Sequence, residues 1–176
     1  MALGLSSFVR ALPKLFSGAG RPGNVGSHDV ALSCPPIPYD LTDDFKLGSA
    51  AVDIQHEKLF HLALKASGLA RNPAERAELR TTFHEFADDL RDHFAYEEKV
   101  LANIRHPQLD EHRVEHQTML AELESIRQRV VGNGGGLAFH EEALLILNFM
   151  MGVTVGHMLG SDLDCARALQ AEQKPL

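Results

Sequence analysis

An all-α fold, an antiparallel up-down four-helix bundle behind an extended N-terminal arm, is what this sequence predicts. Three observations carry the expectation. Beyond residue 45, apolar residues recur at alternating steps of three and four, the spacing of one helix face. Breakers divide this pattern into four stretches: Arg71-Asn72-Pro73, Pro107, and the run Gly132-Asn133-Gly134-Gly135-Gly136. No stretch alternates apolar and polar residues with the period of two expected of a half-buried strand. Length agrees, since 176 residues make about one domain. Such a chain buries roughly 70% of its unfolded surface.

Residues 1–44 read as the arm. Pro13, Arg21-Pro22-Gly23 and Pro35-Pro36-Ile37-Pro38 punctuate it. Phe8, Leu12, Leu15 and Phe16 share one side, which leaves two readings, an unstructured start or an interfacial segment. A signal peptide is not expected, because Arg10, Pro13 and Lys14 interrupt any apolar region. The bundle is expected over residues 45–170, with 171–176 as a tail. Its helices should cover about 51–70, the stretch from Pro73 to Pro107, 108–131 and 138–170. Short connections make neighbouring helices antiparallel.

Composition excludes several classes. Apolar residues at 44% and charged residues at 23% are globular values. A net charge of −7 without a basic block argues against nucleic acid as partner. The longest apolar runs fall short of a bilayer span, so no transmembrane segment is expected. Two cysteines, Cys34 and Cys165, exclude a disulfide scaffold and suit a reducing, cytoplasmic location. Histidine is the outlier, with ten copies.

Five of the ten fall in the apolar stripes. The second helix runs Leu79, Phe83, Phe86, Leu90, His93, Glu97, Val100, Ile104. The third runs Leu109, His112, His116, Met119, Leu123, Ile126, Val130. His56 follows Val52 in the first helix, and His157 closes Phe139, Ala143, Ile146, Met150, Val153 in the fourth. A carboxylate in such a stripe is costly unless paired or metal-bound. So many inward ring nitrogens have no visible partner except metal ions. Five imidazoles overfill one tetrahedral zinc site, and two six-coordinate ions with carboxylate bridges fit better. Imidazole suits Fe, Zn, Cu or Ni, and bridging carboxylates favour iron or manganese. A ferritin-type site is excluded, for no Glu-x-x-His occurs. His28, His61, His84, His106 and His140 miss the stripes and read as surface or loop residues.

Four segments together resemble the bacterial branch of the hemerythrin family. They are Asp53-Ile54-Gln55-His56-Glu57-Lys58-Leu59, His93-Phe94-Ala95-Tyr96-Glu97-Glu98, the pair His112 and His116, and His157 through Asp162. The resemblance spans about residues 45–170. It implies a cofactor of two Fe ions per chain, a diiron-oxo centre. His112, His116 and His157 would hold one iron, and His56 and His93 the other, leaving one position open. Glu97 and Asp162 would bridge the pair. Periodicity supports all of these except Asp162, which on a regular helix lies about 140° from His157. Asp164 is its competitor by spacing, and Gly156 and Gly160 would make a local bulge cheap.

The function implied is reversible binding of dioxygen for carriage, storage or delivery, without catalysis. The alternatives are a sensor of oxygen, nitric oxide or redox state, and a diiron redox enzyme with peroxidase- or nitric oxide reductase-like activity. Four positions depart from the family's pattern. Leu101 and His106 look tolerable. Val153 and Thr154 replace a large aromatic and a bulky aliphatic. Either they open the dioxygen pocket and add a hydroxyl, or neighbours such as Phe45 or Met150 fill the gap.

Overall fold

The structure, a computed structural model, describes residues 47, 49–131 and 136–166. The expected arm, the Gly132–Gly135 run, Phe45 and the 171–176 tail lie outside the described residues. Four long helices and no strand occur among those described. They are α1 (Ala50–Leu69), α2 (Arg76–Asn103), α3 (Leu109–Val131) and α4 (Phe139–Met151). Helix α4 continues without a break into a π-helical segment, Gly152–Asp162.

Local chemistry sets the boundaries. Asp53 accepts a hydrogen bond from the Leu47 amide at 2.7 Å and so ties down the start of α1. Asn72 caps the 3-10 turn Pro73–Glu75 by accepting from the Ala74 amide, and Pro73 fits the first helical position. Glu141 reaches back to the Ala138 amide at 3.1 Å at the start of α4. At the end of α2, Arg105 takes a left-handed φ of 55°. The His106 amide donates to the Leu101 carbonyl and the Arg105 amide to the Ala102 carbonyl. This pair of bonds is a Schellman motif, usually built on glycine. Its geometry folds His106 back under the helix, where it is buried at 6% exposure. His106 is thus a loop residue as expected, but not a surface one.

The apolar stripes pack into one core. Leu59, Leu79, Phe83, Phe86, Leu90, Leu123, Ile146 and Met150 are all essentially inaccessible. Phe149 meets Phe83 and Phe86 edge-on, each at 6.3 Å between centroids. One stripe departs from its expected course: Ile104 is 45% exposed, while Leu101 is 2% exposed. A straight helix drifts about 20° per heptad against a strict seven-residue repeat. The inner face of α2 has therefore moved from the Val100–Ile104 line to Leu101.

Among the described residues, the helix Phe139–Ala166 is the stretch that bears on the expectation about membranes. It has 28 residues, with a window of mean hydropathy 1.7, and by length and composition is long and apolar enough to cross a bilayer. Counting unbroken apolar runs missed it, since the Asn, Thr, Gly and His residues that interrupt the runs carry no charge. In the bundle this helix buries Ala143, Ile146, Met150 and Val153, as well as the charged residues Glu142 and Asp162.

Candidate metal centre

Each helix contributes imidazole to one point in the bundle. His56 comes from α1, His93 and Glu97 from α2, His112 and His116 from α3, and His157 and Asp162 from the π segment. All seven are buried. Glu97, His112, His116, His157 and Asp162 offer ligand atoms within 4.8 Å of one another, and so do His56, His93 and Asp162. The structure thus brings together all seven residues singled out from the sequence, as two clusters that share Asp162. Asp164, the competitor by spacing, is exposed.

The π segment explains how Asp162 gets there. Hydrogen bonds from i to i+5 widen the turn, so residues five apart come onto one face. Asp162 Oδ1 lies 3.0 Å from His157 Nε2 and 3.3 Å from His112 Nε2, and Oδ2 lies 3.2 Å from His56 Nε2. The bulge that the glycines allow is an extended run, Gly152–Asp162.

Outer hydrogen bonds fix the rings. His93 Nδ1 donates to Gln55 Oε1 at 3.1 Å, and His116 Nδ1 to Glu98 Oε1 at 3.0 Å. His157 Nδ1 lies 3.4 Å from Glu115 Oε2. A proton committed to Nδ1 leaves Nε2 with a bare lone pair. Phe94 stacks flat on His116 at 3.7 Å and meets His157 edge-on, which limits both rings further. Gln55, Glu98 and Glu115 were not singled out from the sequence as functional residues. Gln55 and Glu98 sit next to site residues in the quoted motifs, and Glu115 precedes His116. Which neighbouring helix each would face was not readable from one helix alone.

The arrangement fits a cation. His116 and His157 point Nε2 at Nε2 across 3.0 Å, and His56 and His93 do the same across 3.2 Å. Where Nδ1 carries the proton, two lone pairs meet, and only a positive species between them relieves this. Both oxygens of Asp162 are buried without a hydrogen-bond partner, and nearly all buried polar groups have one. Burial alone would raise the Asp162 carboxyl, but interactions with His112, His56 and His93 hold it well below the usual carboxylate range. Burial likewise opposes ionisation of Glu97, yet hydrogen bonds with His112 and His116 bring it down to about 2. Burial works against charging His112, but Asp162, Cys165 and Glu97 outweigh it and push the ring up to about 12. Burial is also the main reason His93 is lowered. Two ionised carboxylates in a buried site demand positive charge, from a proton or a metal ion.

Comparison with known proteins agrees with this chemistry. Residues 47–164 match the model of the hemerythrin HHE cation binding domain. The chain belongs to the hemerythrin family. A bacteriohemerythrin of Clostridium acetobutylicum is 31% identical over 86 residues, which span 47% of this chain and 67% of that protein. No solved structure gives a significant match. The hemerythrin model covers all four helices and every residue of the two clusters.

Proposed function

We propose that this hemerythrin domain holds two iron ions and binds dioxygen reversibly. The observation that carries the reading is the pair of clusters meeting at Asp162. His112, His116 and His157 would hold one ion and His56 and His93 the other, with Glu97 and Asp162 as the carboxylates that would offset their charge. When bound, paired iron supplies one electron from each ion to a dioxygen molecule. Everything else falls to the protein. Gln55, Glu98 and Glu115 orient the rings so that Nε2 faces inward. Phe94, Met150, Val153 and Met158, all at most 2% exposed, exclude water.

Binding rather than catalysis is favoured by Val153 and Thr154. Both are 1% exposed, and Thr154 Oγ1 donates to the Met150 carbonyl at 2.9 Å. The hydroxyl is spent on its own helix, and Met150, which accepts that bond through its carbonyl, is itself fully buried. A dry wall without a loose proton donor favours release of the ligand unchanged. The test is iron analysis with optical spectra before oxygen, under oxygen and after evacuation. Two irons per chain and a spectrum that reverses under vacuum are expected. One zinc per chain, or irreversible bleaching with release of peroxide, overturns the reading.

A further inference from the structure

Between the start of α1, the last turns of α2 and the end of the π segment, a cavity of about 50 Å³ opens. Val52, Val100 and Leu101 wall it, Cys165 stands beside them, and Glu97 and Asp162 also line it. Val100, Leu47 and Ser49 are half-buried while both carboxylates are buried, so the cavity runs inward from these three residues to the centre.

We propose that this cavity is the port through which a small neutral diatomic molecule reaches the carboxylate side of the centre. The inference rests on the function proposed above and adds the route and the residues that set it. Size is the first argument: the space suits one or a few small molecules and no larger substrate. Wall chemistry is the second. A neutral, weakly hydrated guest loses little against valine and leucine, whereas a hydrated cation would have to shed water there. An anion would approach two carboxylates in a chain of net charge −7. The third argument is the inner end, where the partnerless oxygens of Asp162 mark the point at which the protein's own hydrogen bonding stops. Cys165, a buried free thiol, completes the wall with only a weak polar group.

Val100→Trp should plug the mouth, and Val114→Trp, on an exposed position of α3, is the control. Xenon under pressure is the apolar probe. It needs no iron, and it is located in crystals of the full chain. Xenon should occupy the cavity in the wild type and in Val114→Trp, and be lost in Val100→Trp. Stopped-flow mixing of the reduced, iron-loaded chain with nitric oxide and with dioxygen should then show association slowed at least tenfold in Val100→Trp alone, at equal iron content. Absence of xenon from the wild-type cavity overturns the port, whatever the centre binds. So do unchanged association rates in a Val100→Trp chain that has lost its xenon. If xenon enters but the loaded wild type binds neither gas, the functional reading fails, and the port with it.

Discussion

Two carboxylates on the same continuous helix, Glu142 and Asp162, are both 0% exposed, and their surroundings are opposite. Glu142 is held by two guanidinium groups. Arg80 donates to both oxygens at 2.6 and 2.8 Å, and Arg76 Nε donates at 2.9 Å while its Nη2 also binds the Leu137 carbonyl. Asp162 has no hydrogen bond at all, only ring nitrogens crowded around it. The first is a finished ion-pair clasp that joins α2 to α4. The second is offset only by imidazoles, His112 above all, whose proton a bound cation can replace. Burial of a carboxylate is therefore not the mark of a site. What separates site from scaffold is whether the counter-charge is a permanent guanidinium or an imidazole proton that a metal ion can displace.

The comparison breaks most sharply at the ligand end. His116→Ala should strip iron from the loaded chain and leave a cavity beside Phe94. The cavity alone costs about 2–5 kcal/mol, before lost metal binding is added. Metal analysis with urea unfolding of the loaded and unloaded forms checks this. Asp162→Asn should also lose iron, and because it keeps the side chain's volume it opens no cavity. His61→Ala and His140→Ala, on exposed positions, should keep both irons.

At the clasp the expected pattern is reversed. Glu142→Ala should destabilise the fold and leave the iron count unchanged. Removing one partner of a buried pair costs about 3–5 kcal/mol. Arg76 and Arg80 are 31% and 30% exposed and can regain water, so a value near the lower end is expected. Iron loss in Glu142→Ala at a temperature where the helices remain folded would mean that the two carboxylates do not act separately.

Acid sharpens the contrast. Burial would raise Glu142, but Arg80 and Arg76 hold it below its ordinary value of 4.5. A carboxylate lowered in the folded state adds stability that is full above its unfolded value and is lost as pH falls through its folded value. The unfolding free-energy gap between the wild type and Glu142→Gln should thus hold above pH 4.5 and shrink below it. Iron should leave at higher pH than that, because protons compete with metal for imidazole.

The smallest effect lies at the turn that separates α2 from α3. Arg105 carries its φ of 55° without the freedom of glycine. Arg105→Gly should stabilise the fold by about 0.5–1 kcal/mol, read from the urea midpoint, with iron content unaltered.

Much of this was legible before any coordinates. His93, Glu97, His112 and His116 stood in unbroken helical stripes, where a polar residue contradicts its neighbours. Ile104 was misplaced because a heptad rule was carried one turn too far along a straight helix. Asp162 was reached only through resemblance, since regular helical geometry turns it away from His157 and no sequence rule announces a π segment. Glu142 was passed over because its neighbour Ala143 satisfied the stripe. Its partners, Arg76 and Arg80, are over sixty residues away in sequence, so the clasp exists only in three dimensions.

The π segment also ties the shape of a helix to occupancy of the site. Its wide turns are a rare form of helix, and in the unloaded chain the contacts of Asp162 with His157, His112 and His56 are what the register serves. Rewinding to an α register would swing Asp162 out toward solvent and release its charge from the interior. A bound cation forbids that swing. The amide protons of Gly152–Asp162 should therefore exchange with deuterium slowly when iron is present and readily when it has been chelated, while those of α2 near Phe83 and Phe86 stay protected in both.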